Sequence, residues 1–205
     1  MASCGLALFA PLILAAGVLI KITSKGPVFF RQERVGQFGK EFTLLKLRTM
    51  ASNSAGSLVT AKGDARITRV GRLLRRTKID ELPELWNVLK GDMSLVGPRP
   101  EVPKLVDLSN PIWLQILNAR PGITDPVTLR LRNEETLLAA IANRDDFYRD
   151  VLQPYKLNGY CQYVRNRNWK ADLKIITSTL KAVLFPDSIA PPTVDEMAAL
   201  ADEAF

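Results

Sequence analysis

The chain has 205 residues, with 28 Lys and Arg against 21 Asp and Glu and a formal net charge of +7. That length supports one core, and so basic a balance calls for an anionic partner: nucleic acid, a phosphate-bearing substrate or lipid headgroups. Histidine is absent, which removes His-ligated zinc and Ser-His-Asp or Cys-His catalysis and leaves acid–base and nucleophilic work to carboxylates, Lys, Tyr or Cys.

Residues 2–20 carry no charge, and Lys21 and Lys25 follow at once. This meets the length of a membrane anchor and places the domain that follows on the cytoplasmic side. A cleaved signal peptide ranks below a retained anchor, because no basic side chain precedes the apolar run. Pro11 lies mid-run, where it removes a helix hydrogen bond. A simple span and, given a sharp enough kink at Pro11, a re-entrant helix over residues 1–22 that returns to the same face both fit these residues. The two cysteines, Cys4 and Cys161, form no CxxC pair; neither a disulfide framework nor a metal knuckle is expected, and a reducing compartment fits.

Residues 28–34 and 42–48 read as two strands around a turn containing Gly36 and Gly39. The period of two puts Phe42, Leu44, Lys46 and Arg48 on one face, where Lys46 and Arg48 would point together at an anion; a solvated strand edge accounts for the two cations equally well. Residues 51–63 are small and polar and read as a loop. Residues 66–78 read as a basic amphipathic helix with Ile67, Val70 and Leu74 on one side and Arg69, Arg72 and Arg76 on the other. Such a helix suits a headgroup layer or a solvated surface.

The next stretch, TKIDELPELWNVLKGDMSLVGPRP at 77–100, concentrates the chemistry. Pro83 suits a first helical turn, Leu82, Leu85, Trp86 and Leu89 make an apolar face, and Gly91 ends it. Asp80 and Glu81 then sit at the helix N-terminus, where the dipole keeps a carboxylate ionised, and a capping box from Thr77 to Asp80 has the same effect. An acid pair there is more often a cap than a catalytic dyad. The cations Arg75, Arg76 and Lys78 before it, and Arg99 fixed between Pro98 and Pro100 after it, shift the balance toward catalysis.

Beyond Pro100 the sequence predicts a turn at 120–124, a helix at 134–143, and a stretch at 156–184 where Tyr160, Tyr163 and Trp169 mix with bases, as at a membrane interface or against a stacked base. All 28 basic residues lie at or before Lys181, whereas Asp187, Asp195, Glu196, Asp202 and Glu203 follow it. Residues 186–192 read as a linker, and Thr193 with Glu196 caps a last short helix. The division expected is an anchor at 1–22, a catalytic domain at 23–185 and an acidic tail at 186–205. The fold class is α/β (α+β), mainly helical with a small β-hairpin or sheet. No GxxxxGK[ST], GxGxxG or Asp-x-Asp nucleotide signature is present.

GPVFFRQERVG at 26–36, LLKLRTM at 44–50, IDELPELWNVLKGDMSLVGPRP at 79–100, RPGIT at 120–124 and DLKII at 172–176 together resemble the bacterial sugar transferases, the small monotopic polyprenyl-phosphate phosphoglycosyl transferases. The resemblance implies transfer of a sugar-1-phosphate from a UDP-sugar to a polyprenyl phosphate such as undecaprenyl phosphate, with Mg²⁺ and a covalent intermediate, at the cytoplasmic face of the inner membrane. Of the two anchor geometries it implies the re-entrant one. Carried over by position, Asp80 is the nucleophile and Glu81 its partner and Mg²⁺ ligand. Lys46, Arg48, Arg75, Asn87, Pro98, Arg99 and Pro100 fall at substrate-binding positions. The helix N-terminus, Arg75 and Lys78 are expected to lower the pKa of Asp80, and Arg99 is expected to serve ligand binding rather than the fold.

Two departures from the family pattern stand out. The chain starts inside the anchor helix, without the basic lead the family carries, so a shortened start or anchor is expected. After RPGIT, residues 125–133 read DPVTLRLRN in place of the family's Gly-x-Ala-Gln-Val-Asn-Gly-Arg, a change expected to bear on sugar or acceptor choice. The rival reading is a membrane-associated basic protein that binds nucleic acid, which accounts for the charge and leaves the Asp-Glu pair unused.

Overall fold

The computed structural model describes residues 2–51 and 63–202, so most of the expected loop at 51–63 lies outside the described residues. The apolar run forms one continuous helix, α1 (Ala2–Thr23), with Pro11 inside it. Its length and composition suit a membrane span. Leu8, Leu14, Val18 and Ile22 are exposed, while Ala16 and Ile20 are buried against Leu47 and Leu74. Near its start, a Cβ on Gly5 would meet Leu85 at 3.4 Å. The helix thus touches the rest of the molecule from its first turn to its last.

The expected hairpin is present one residue out of step at each of its four ends: β1 (Phe29–Val35) pairs antiparallel with β2 (Glu41–Leu47), Phe29 opposite Leu47 and Val35 opposite Glu41. Phe42 and Leu44 face the core as the alternation required. The basic helix is α2 (Arg69–Thr77), capped by Thr68, whose side chain accepts from the Gly71 amide. Leu74 is buried, Arg69, Arg72 and Arg76 are exposed, and α2 ends on Lys78 at φ 59°. A left-handed backbone costs a lysine about 1 kcal/mol, and here it turns the chain abruptly into the acidic segment.

That segment differs from the capping scheme. Residues Ile79–Glu81 form a 3₁₀ turn, and α3 (Glu84–Lys90) begins only after Pro83. The Thr77 hydroxyl donates back to Leu73 and Leu74 carbonyls, so there is no capping box. Gly91 ends α3 at φ 87°, as expected. The buried side of α3 is Glu84, Leu85 and Asn87, whereas Trp86 and Leu89 are 50% and 47% exposed. The apolar face read from the spacing is therefore only partly a core face.

Two three-residue strands follow that the sequence did not announce: β3 (Ser94–Val96) and β4 (Gly122–Thr124), parallel, on either side of α4 (Pro111–Leu117). The expected turn at 120–124 is thus largely a strand. Backbones cross so closely that a Cβ on Gly97 would lie 2.3 Å from the Arg120 carbonyl, and one on Gly122 2.1 Å from the Gly97 nitrogen. Only glycine fits there, and the crossing fixes the start of the Pro98–Pro100 loop. The Gly122 amide also donates to the Pro98 carbonyl at 2.9 Å.

The remainder is helical: α5 (Pro126–Arg130), α6 (Glu134–Ala139), α7 (Arg144–Phe147), α8 (Gln153–Asn166), α9 (Trp169–Leu184) and α10 (Val194–Asp202). Asp125, fully buried, caps α5 by accepting from the Val127 and Thr128 amides. The helix expected at 134–143 is shorter and breaks before α7. The main core gathers Leu138, Leu152, Tyr160 and Met197. Met197 lies on α10, which the Thr193 hydroxyl caps as expected. Arg130 on α5 holds Glu196 through two bonds, and Asn158 on α8 donates to the Leu200 carbonyl. Within the segment read as an acidic tail, α10 thus packs Met197 into the main core. Of the acids on α10, Glu196 meets a base of the body, Arg130. Met197→Ala should cost about 2–5 kcal/mol in denaturant unfolding, whereas a loose tail would leave the midpoint unchanged.

Candidate active site

Lys46 near the end of β2, Glu81 in the 3₁₀ turn and Arg99 in the loop after β3 meet at one carboxylate. The Lys46 Nζ lies 3.0 Å from Glu81 Oε1, Arg99 Nη2 donates to the same oxygen, and Lys78 Nζ stands 4.0 Å away. The carboxyl of Glu81 is held well below the usual range because Arg99, Lys46 and Lys78 outweigh the effect of its burial.

Asp80, next in the chain, has the opposite environment. It is 6% exposed, and its Oδ1 is buried without a hydrogen-bond partner among the described residues. Burial, then the neighbouring charge of Glu81, pushes its pKa up, with Lys46, Lys78 and Arg75 opposing. The lowered pKa expected from a helix dipole is corrected: Asp80 precedes α3 inside a 3₁₀ turn, and removal from water outweighs the dipole.

Arg99 Nη1 and Arg75 Nη1 are likewise buried without partners. Arg75 reaches Glu135 through its other terminal nitrogen at 3.0 Å. Among the described residues on the wall of a cleft of about 1420 Å³, the fold thus leaves unspent an acceptor oxygen on Asp80 and guanidinium nitrogens on Arg34, Arg75 and Arg99. Arg99 serves both the fold, through Glu81, and the cleft, so the expectation that it would not stabilise the fold is revised.

Two expected substrate ligands are engaged by the fold, Arg48 on the lining of the cleft and Asn87 outside it. Arg48 lies just beyond β2 and donates to the Ser24 and Lys25 carbonyls and to the Ser24 hydroxyl, tying down the end of the anchor. Asn87, 1% exposed, accepts from the Leu45 amide and donates to the Thr43 carbonyl, which docks α3 on the edge of β2. Pro98 and Pro100 flank Arg99, and the Pro100 carbonyl accepts from Arg34 at 2.9 Å. Reading the spacing missed Glu84, which is 1% exposed and holds Lys46 from the side opposite Glu81, at 3.1 Å. Its place in the first turn of α3, three residues after Glu81, was the available signal.

Among the described residues no cluster of three acidic, Cys or His side chains stands ready for a metal. Mg²⁺ is commonly held by one or two carboxylates together with substrate phosphates and water. Glu81, beside the unpartnered oxygen of Asp80, fits that mode once a diphosphate is present. Of the three aromatics that suited a stacked base, Tyr160 and Tyr163 are 1% and 8% exposed and belong to the core, whereas Trp169 is 72% exposed.

A small, mainly helical domain with an apolar anchor, a clamped carboxylate beside a free one, and spare guanidinium donors defines a class of membrane-associated group transferase acting on an anionic substrate. The chain belongs to the bacterial sugar transferase family, whose model matches residues 1–186. It is 42% identical over 188 residues to the UDP-glucose:undecaprenyl-phosphate glucose-1-phosphate transferase of Caulobacter vibrioides, covering 89% of this chain and 66% of that protein. It is 38% identical over 182 residues to the UDP-N-acetylgalactosamine-undecaprenyl-phosphate N-acetylgalactosaminephosphotransferase of Aeromonas hydrophila, covering 86% of this chain and 40% of the relative. With the exopolysaccharide production protein ExoY of Rhizobium meliloti the identity is 34%, over 89% of this chain and 81% of that one. The chain thus spans two thirds or less of the first two relatives' length.

The two acids should answer oppositely to neutralisation. Asp80→Asn removes a buried charge with no hydrogen bond and should leave the melting temperature unchanged or raise it. Glu81→Gln strands Lys46 and Arg99 and should cost about 3 kcal/mol at neutral pH. Because the folded pKa of Glu81 is lowered, its contribution is complete above its unfolded value, near 4.5, and is lost as pH falls toward the folded one. The gap between wild type and Glu81→Gln should therefore narrow on acidification, in unfolding curves taken across pH.

Proposed function

We propose that this protein transfers a sugar-1-phosphate from a UDP-sugar to undecaprenyl phosphate, releasing UMP, through a covalent phosphosugar intermediate on Asp80. The observation that carries the reading is the pairing of a free buried oxygen on Asp80 with free guanidinium nitrogens on Arg75 and Arg99 in one cleft. The named relatives, two of which act on UDP-sugars and undecaprenyl phosphate, support the substrate class.

In this account Asp80, ionised, attacks the phosphorus that bears the sugar. The bond from that phosphorus to the bridging oxygen breaks, and UMP leaves with the electron pair. An oxygen of the prenyl phosphate then attacks the same phosphorus and returns Asp80 as a carboxylate. Arg75, Arg99 and Lys46 neutralise the diphosphate as charge moves onto the leaving group. Glu81 holds Lys46 and Arg99 in place and would hold Mg²⁺ together with the diphosphate. When bound, Mg²⁺ would draw charge from the phosphate oxygens.

A prenyl acceptor places this chemistry at a membrane, at the cytoplasmic face of the inner membrane by the bases that follow the anchor. Exposed Leu8, Leu14 and Ile22 on α1, Trp86 and Leu89 on α3, and Trp169, Leu173 and Leu184 on α9 supply apolar surface for lipid. The contact of Gly5 with Leu85 favours a re-entrant anchor. A straight span about 30 Å long would carry residue 5 to the far side of the bilayer, away from α3. A cysteine at residue 3 should accordingly react with a membrane-impermeant reagent from the cytoplasmic side; labelling from the opposite side contradicts the re-entrant reading.

The reaction is tested by UMP release from UDP-sugars with a lipid acceptor. Double-displacement kinetics are expected, with parallel lines in double-reciprocal plots, and Asp80→Asn should be inactive although folded. The acid limb of kcat/KM should lie above the ordinary aspartate value of 3.8, because the raised pKa delays ionisation. Arg99→Lys keeps a charge for Glu81 but loses the spare nitrogen, so KM for the UDP-sugar should rise about tenfold; an unchanged KM counts against this role.

A further inference from the structure

The cleft extends past Arg99 to a second polar wall that the phosphate chemistry leaves unused, lined by Glu101, Asn133, Glu134, Tyr148 and Lys156. Lys156, whose side chain is 10% exposed, lies 3.0 Å from each oxygen of Glu134. Its ammonium also stands over the Tyr148 ring, 4.8 Å from the centroid. The Tyr148 hydroxyl donates to Glu101 at 3.1 Å, and Glu101 faces Arg34 at 3.6 Å. Acid and base alternate along this wall and largely cancel.

The two ends of the cleft therefore suit different parts of one ligand. The end with Lys46, Arg75, Lys78 and Arg99 is matched to a diphosphate. A wall of balanced, fixed donors and acceptors is matched to a neutral ring bearing hydroxyl groups. The Glu134 carboxylate is 28% exposed, and each oxygen that accepts from Lys156 keeps a second lone pair for a hydroxyl. One loop serves both ends, since Arg99 points to the phosphates and Glu101, two residues on, belongs to the balanced wall.

A UDP-sugar has two such rings, the ribose and the hexose. The Pro98–Pro100 loop lies in the stretch that resembles the family pattern, whereas Asn133 on the wall closes the stretch at 125–133 where that resemblance breaks, and Glu134 follows it. That contrast ties the loop to the shared nucleotide and the wall to the variable sugar. We infer that Glu134 and Lys156, with Asn133 and Tyr148 beside them, form the subsite that reads the hydroxyls of the transferred hexosyl ring and so determine which UDP-hexose is used. The inference rests on the transferase reading above.

The test uses the full chain in lipid nanodiscs with undecaprenyl phosphate, and the C4-epimeric pair UDP-glucose and UDP-galactose. Glu134→Gln keeps an acceptor for Lys156 but weakens acceptance from a hydroxyl, and should change the ratio of kcat/KM between the two sugars about tenfold. UMP affinity, read by calorimetry, should stay unchanged. Asn133→Ala serves as a second variant, because the Asn133 side chain caps no helix, and it too should move the ratio. Equal slowing of both sugars in both variants would make the wall structural and overturn the inference. A parallel loss of UMP affinity would assign the wall to the ribose and overturn it equally. Wild-type protein that releases no UMP from any UDP-sugar, N-acetylhexosamines included, would instead remove the transferase reading itself, a result visible before any variant is made.

Discussion

Glu81 Oε1 is the point at which two distant parts of the chain are joined to the turn that carries it. Lys46 reaches it from the hairpin, Lys78 from the end of α2 and Arg99 from the proline-flanked loop after β3. Buried ion pairs gain little net stability, because desolvation offsets most of the attraction, but breaking one by removing a single partner is costly. The arrangement therefore acts chiefly as a constraint: the hairpin, the 3₁₀ turn and the loop cannot move apart without exposing an unpaired buried charge. Asn87 adds a second tie, holding α3 to the outer edge of β2 through backbone groups.

The same constraint divides labour between adjacent acids. Glu81 is saturated with cations and stays ionised; Asp80 shares the site but receives no hydrogen bond at Oδ1. A carboxylate already engaged by two or three cations is a poor nucleophile, since attack would require those contacts to be given up. A buried, unsolvated one has little to lose and is the better candidate. Environments that push neighbouring pKa values apart are how one site assigns distinct roles to like groups. Lys46 is held between Glu81 and Glu84, so its charge stays near Asp80 whatever the ligand does.

Much of this was legible in the sequence, for reasons that can be traced. The hairpin followed from alternation and its glycines, and the end of α3 followed from Gly91. Asp80, Glu81, Lys46 and Arg99 stood out by motif and by resemblance. What escaped depends on tertiary contact. Strands of three residues such as β3 and β4 leave no periodic signal, and their pairing rests on glycines that only a backbone crossing explains. Arg48 continued the period of two past the strand end, where its guanidinium meets the anchor. Trp86 and Leu89 kept helical spacing but face outward, because apolarity alone does not separate a core face from a lipid-facing one. Charge bias likewise set α10 apart as a tail, although its Glu196 meets Arg130 and its Met197 fills the core. The direction of the Asp80 shift was misread because burial cannot be seen in a two-residue motif.

The most direct measurement is to locate the sugar phosphate on the protein. The wild-type chain is mixed with a UDP-sugar in the absence of prenyl phosphate, quenched, digested and mapped by mass spectrometry. The account predicts one added sugar phosphate, carried by the peptide that contains Asp80 and assigned to that side chain, with UMP released in equal amount. An adduct on Glu81, or UMP released only when prenyl phosphate is present and with no adduct formed, would contradict it.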